Sequence, residues 1–168
     1  MTERIVRSNF VESQEYFGVI QQKTYNPDSD VPISNIAQYV DNHVKSAHEK
    51  QMVFEAACFA GLEFVVRHMR TKHGHVLVPN VIGTHHTFEG AGLLEICYRL
   101  QHQEALLELL MFNNIDPNVS LKWIDGQPEN PSWLLHAACD ENNVALVRQL
   151  LRHKAIKVNA TDMYGETA

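Results

Sequence analysis

The feature that most narrows what this chain can fold into is a segment that it uses more than once. Residues 54–69, FEAACFAGLEFVVRHM, lie over residues 135–150, LHAACDENNVALVRQL, with Ala56, Ala57, Cys58, Val66 and Arg67 meeting identical residues. A third copy, LEICYRLQHQEALLEL at 94–109, falls between them, with Glu95 on Glu55, Leu109-Leu110 on Leu150-Leu151 and, further on, Asn118 on Asn159. Each copy holds a short apolar stretch, a break near Gly61, Gln101 or Asn142, and a second stretch with apolar residues at i, i+3 and i+4. That spacing puts them on one face of a helix, so the unit is read as a helix-turn-helix pair, with pairs beginning near residues 52, 92 and 133. One such unit cannot bury its apolar face alone; neighbouring copies must cover it.

The last copy carries further marks. In WLLHAACDENNVALVRQLLRHKAIKVNATDMYGETA, Leu135-His136 matches the L-H of T-P-L-H-x-A, Leu150-Leu151 closes the second helix, and Asp162-x-x-Gly165 has the form of a hairpin turn. Thr167, 34 residues after Trp133, stands where the next copy would open. The segment resembles an ankyrin repeat. The resemblance extends over residues 50–168, through the A-x-x-G-x-x-x-V-V rhythm of the first copy, and is weakest in the second. It departs from the family in three ways: Thr-Pro is missing at each helix start, Glu55 and Glu95 stand where His136 stands, and the copies lie 40 and 41 residues apart, beyond the family's period of about 33.

What the resemblance implies is an all-α, ankyrin-type solenoid with repeats at 51–91, 92–132 and 133–166 and a further one opening at 167–168. The chain would then be a fragment of a longer protein, stopping just inside a repeat. The excess spacing is placed in the hairpin-side connectors, 71–91 and 119–132, the latter with a D-G turn at Asp125-Gly126, and both are expected to project as fingers. Residues 1–50 do not repeat. They are read as an N-terminal helical cap or extension: one helix in NFVESQEYFGVIQQ with Phe10, Phe17 and Val11 or Ile20 on one side, a linker or turn at YNPDSDVP, and a second helix over SNIAQYVDNHVKSAHEKQ with Ile36, Tyr39, Val40 and Val44 inward. A polar-backed extension of this kind would cover the apolar face of a first repeat.

Composition excludes some classes of partner. The net charge of −6 argues against a surface that binds nucleic acid, which needs a basic face. No apolar run reaches the roughly 18 residues of a membrane span, and MTERIVRSNF lacks the apolar centre of a signal peptide. Three cysteines without C-x-x-C spacing do not make a disulfide framework, so a reducing, cytoplasmic setting is expected. With 168 residues, 45% of them hydrophobic, the chain can bury a sizeable core.

Two chemical readings compete with recognition. His73, His75, His85 and His86 bracket the first insertion and could bring imidazoles around zinc, but their spacing matches no zinc pattern, and solvated loop histidines explain them better. Cys139 lies near His136, as a nucleophile and base would. Cys58 and Cys139, however, share one repeat slot, and Cys97 fills the slot of Ala57 and Ala138. Small residues there let helices pack closely, so buried, inert thiols are expected. The family resemblance assigns His136 to hydrogen bonding in a turn. No Gly-rich phosphate loop or paired carboxylate motif appears, and neither cofactor nor metal is expected.

The function expected is therefore protein binding, which ankyrin arrays perform through hairpin tips and the concave face of their first helices. Phe59, Arg99 and Asp140 occupy one repeat column where side chains should face outward, and Trp123, Ile124 and Tyr164 lie at or near hairpin tips. Aromatic residues and arginine are common interface anchors. The partner is another protein and the chain itself a monomer, with self-association through its last repeat as the alternative. Long fingers on a divergent array would suit a bacterial or viral effector acting in host cytosol.

Overall fold

In a computed structural model the chain is described over residues 6–8, 10–24, 32–83, 90–121, 132–162 and 164–168. These residues are mostly helical, and they form two compact units, Met1–Phe112 and Asn113–Ala168.

In the first unit the helices are α1 (Phe10–Thr24), α2 (Pro32–His43), α3 (Ala47–Phe59), α4 (Glu63–His73), α5 (Leu93–Arg99) and α6 (Gln103–Leu109). They follow one packing rule: α1 lies on α3 and α3 on α5, while α2 lies on α4 and α4 on α6. The pair α1/α2 thus stands to α3/α4 as α3/α4 stands to α5/α6. The core between these layers comes from Phe17, Ile20, Ile36 and Val40 on the first pair, Val53, Phe54, Val66 and Met69 on the second, and Ile96, Leu106 and Leu109 on the third. Phe54 meets the ring of Phe112 with centroids 5.3 Å apart.

The helix expected to run unbroken through SNIAQYVDNHVKSAHEKQ is two helices, α2 ending at His43 and α3 beginning at Ala47. The cause is a capping box. The Ser46 hydroxyl accepts from the Glu49 amide at 3.1 Å, and the Glu49 carboxylate accepts in return from the Ser46 amide at 3.1 Å. Two amide donors that a helix start leaves unpaired are satisfied locally, which fixes the break. Ile36, Val40 and Val44 are buried as expected, and Tyr39 is half-buried.

The helix pairs of the three repeat copies are joined by the same turn. Gly61, Gln101 and Asn142 adopt left-handed backbone at φ of 69, 59 and 54°. The next amide in each case, that of Leu62, His102 or Asn143, donates back to Ala57, Cys97 or Ala138 at 2.9, 2.8 and 2.8 Å. A left-handed residue followed by a backward hydrogen bond closes the free carbonyls of a helix end. At Gly61 the turn needs glycine twice over, because a Cβ there would lie 2.5 Å from Nδ1 of His102, whose Nε2 is 3.1 Å from the Phe59 carbonyl. Gln101 and Asn142 carry side chains in the same conformation, at a cost of order 1–2 kcal/mol each.

The insertion expected to be a loop over 71–91 is partly ordered by its neighbours. Helix α4 extends through Thr71, Lys72 and His73, and β2 (Val81–Gly83) pairs in parallel with β1 (Val6–Ser8), Val6 opposite Val81. The expected loop is thus ordered from two sides: the N-terminal segment supplies the partner strand, and Ile82 makes an antiparallel bridge to Gly92. Val81 is fully buried, which gives the pairing its apolar anchor.

The second unit holds α7 (Leu134–Asp140) and α8 (Val144–Leu150), with Leu134, Leu135, Ala138, Leu146 and Leu150 buried. Strands β3 (Ser120–Leu121) and β4 (Ser132–Trp133) pair antiparallel, Ser120 opposite Trp133, and so bring together the two ends of the second insertion. The Asn118 side chain donates to the Ala155 carbonyl at 2.9 Å and accepts from the Lys157 amide at 2.8 Å, tying the entry of the unit to the chain after α8. The Asp162 turn forms: its Oδ1 accepts from the amides of Tyr164 and Glu166 at 2.8 and 2.9 Å, and Gly165 takes a φ of 79°.

Candidate functional site

The recognition column begins at the C-terminal end of each first helix. Phe59 is half-buried and Asp140 is exposed. Arg99 departs from its expected outward orientation. Its side chain is only 18% exposed and pairs at 3.2 Å with Glu95, one turn earlier. A buried carboxylate needs a compensating cation, and that need outweighs the pull of solvent on the guanidinium. Tyr164, at the tip of the Asp162 turn, is 72% exposed. Trp123 and Ile124 lie outside the described residues, as do His85 and His86.

Below the column lies a polar slot, filled by Glu55, Glu95 and His136 at equivalent places and buried in all three copies. Each occupant satisfies its polar group differently. Glu55 accepts from the Ser13 hydroxyl of α1 at 2.9 Å and from the Gln51 amide at 2.8 Å. Gln51 also grips the backbone of Val78 with both ends of its amide, at 2.9 and 3.0 Å. Glu95 takes Arg99, and His136 sets Nε2 3.0 Å from the Glu166 carbonyl. His136 thereby reaches the backbone of the Asp162 turn.

The thiols differ from expectation at one position. Cys58 and Cys97 are buried, and the Cys97 thiol donates to the Cys58 carbonyl at 3.4 Å. Burial, reinforced by its interaction with Cys97, pushes the Cys58 thiol well above its ordinary pKa. Cys139 is exposed, not buried, because the last turn of α7 leaves the apolar layer at that residue. No hydrogen bond joins it to His136 among the described residues.

A cluster that the sequence reading did not assemble lies between α2 and α4. Asp41 Oδ1 is 3.0 Å from Nε2 of His68 and 3.1 Å from Nε2 of His73. The two imidazoles meet edge to face, with centroids 6.0 Å apart. Burial opposes ionisation of Asp41, but the hydrogen bonds from His68 and His73 outweigh it and hold its pKa below the ordinary carboxylate value. Burial lowers the pKa of His73 against the opposing pull of Asp41. The three donor atoms lie within 4.8 Å of one another. Only His73 belonged to the histidine group picked out in the sequence. His68 stands inside the helical copy and Asp41 on the preceding helix, so no short spacing announces them.

Large apolar side chains remain exposed in both units: Phe64 and Met111 in the first, Val144 and Leu151 in the second, each two-fifths or more exposed. Among the described residues, no helix is long and apolar enough to cross a membrane. Comparison with protein-family models, with curated proteins and with solved structures gives no significant match.

Proposed function

We propose that this chain is a protein-recognition scaffold of ankyrin type, with α1/α2 as its cap. The observation that carries the reading is the turn made three times, at Gly61, Gln101 and Asn142, by the same left-handed residue and the same backward hydrogen bond. A unit repeated with the same backbone geometry is how repeat scaffolds are built, and such scaffolds present side chains for recognition on a shared frame. The cap reading draws support from α1/α2, which packs on α3/α4 as a preceding pair would. The partner is another protein, and no catalytic step is assigned to the chain.

The binding residues proposed are Asp140 and Tyr164, with Phe59 as a half-buried contributor and Trp123 and Ile124 on the second insertion. Arg99 acts through Glu95, within the packing, so its replacement would report on folding. The test compares wild-type protein with Asp140→Arg and Tyr164→Ala in partner capture, with melting curves alongside. A hot-spot side chain is worth at least about 2 kcal/mol, roughly thirtyfold in affinity. A partner lost by the variants at unchanged melting temperature supports the reading. Identical partner sets from well-folded forms move the binding face elsewhere.

A further inference from the structure

Two half-buried imidazoles converging on one oxygen of one carboxylate are an unusual way to join two helices. Helix α2 packs on α4 and buries Ile36 and Val40. At Asp41 it meets α4 through a single Oδ1 that serves both His68 and His73, at 3.0 and 3.1 Å. One oxygen taking two imidazole donors brings three potential ligand atoms within 4.8 Å of one another, around a common centre.

The distances suit such a centre. Zinc bound at about 2.0–2.2 Å by nitrogen and oxygen ligands in a tetrahedron sets those ligands about 3.3 Å apart. The two observed oxygen–nitrogen separations fall short of this by a few tenths of an ångström, which side-chain rotation can supply. The histidines are held on α4, a helix of 11 residues whose Val65, Val66 and Met69 are fully buried, so their backbones are fixed before any ion arrives. Their side chains are 15% and 13% exposed, and that of Asp41 is 38% exposed, so the fourth position opens to solvent on the carboxylate side.

The chemistry is also self-consistent. A neutral imidazole that donates to Asp41 carries its proton on Nε2. Moving each proton to Nδ1 frees the Nε2 lone pairs without releasing a proton, and the carboxylate serves as ligand in its ionised form. Two imidazoles and one carboxylate are borderline donors of the kind that suit zinc and its neighbours in the transition series, and that fit magnesium or calcium poorly.

We propose that Asp41, His68 and His73 form a three-ligand site for a divalent transition metal, zinc by the character of its donors, which clamps α2 onto α4. The ion would fasten the N-terminal helices to the first repeat. This inference does not depend on the recognition reading above, and the test separates the two because it needs no partner.

The experiment uses the full chain, stripped with chelator and titrated with Zn2+ alone, by calorimetry and by thermal melting. One ion per chain and a rise in melting temperature are expected. Asp41→Asn, His68→Gln and His73→Gln should each weaken binding by at least about tenfold, while His153→Gln, in the second unit, should leave it unchanged. Should a variant lose its helical circular dichroism, the wild-type chain decides. Added Co2+ should broaden the imidazole resonances of His68 and His73 ahead of those of the other histidines. Absence of stoichiometric binding, a titration indifferent to His68→Gln in a folded variant, or broadening centred on other histidines would each overturn the proposal.

Discussion

The first and third copies of the repeat share Ala-Ala-Cys and Val-Arg in register, yet the same residues have different lives in them. Cys58 is buried and Cys139 exposed. Val66 is fully buried and Val147 half-buried. Arg67 reaches Glu108 of α6 at 2.7 Å and Glu63 at 3.6 Å, whereas Arg148 is exposed and has no ion pair among the described residues. The two helix pairs and their turns are alike. Within the first unit α3 packs against both α1 and α5, and α4 against both α2 and α6, which covers Cys58 and Val66. The repeat sequence thus writes the helix pair, and the neighbours decide which of its residues become core.

Chemical modification should split the copies most sharply. Iodoacetamide under native conditions should label Cys139 quickly, and Cys58 and Cys97 only after denaturation, read by peptide mass spectrometry. Rapid native labelling of Cys58 would break the comparison. The pH dependence has a definite sign. Because the folded Cys58 thiol lies above its unfolded value of 9.0, its stabilising effect is complete below that pH and is lost as the pH rises through the folded value.

The next largest effect is in packing. Phe54→Ala should destabilise by about 3–5 kcal/mol, as an aromatic deleted from a closed core does, because Phe54 is fully buried against Phe112. Leu151→Ala, at a side chain 53% exposed, should stay within about 0.5 kcal/mol. Denaturant melts of both decide the matter, and equal losses would show that Leu151 is as much core as Phe54.

The turns provide a finer contrast. Gly61→Ala should cost about 1–3 kcal/mol, from left-handed strain and from contact with the His102 ring. Asn142→Gly should be neutral or slightly stabilising, since it relieves a side chain from the same φ. A Gly61→Ala protein that melts like wild type would mean that this turn is not held as described. Smallest of all, Arg67→Ala should cost up to about 1 kcal/mol in low salt and Arg148→Ala nothing measurable. A double-mutant cycle of Arg67 with Glu108 would isolate the pair's share.

Much of this was legible in the sequence because it is local. The three breaks fell at the three left-handed residues, and Asp162-x-x-Gly165 named its own turn, since both depend on a handful of adjacent backbone groups. The break at Ser46 was also written locally, as S-x-x-E, but the apolar spacing of Ile36, Val40 and Val44 ran through it and read as one helix. Arg99 carried its signal too, in Glu95 four residues before it, although a repeat column alone points it outward. What could not be read was distant in the chain. The pairing of Val6 with Val81 and the meeting of Asp41 with His68 and His73 need the packing of α2 on α4 and of the N-terminal segment on the first insertion. No residue spacing encodes those before the fold exists.

The claim on which the rest stands is that one helix-turn-helix unit is made three times. Amide hydrogen exchange followed by NMR tests it at the amides of Leu62, His102 and Asn143, which donate to Ala57, Cys97 and Ala138. The account expects all three to be protected, each exchanging more slowly than the same amide in an unstructured chain. Exchange of any one of them at the rate of an unstructured chain would contradict it.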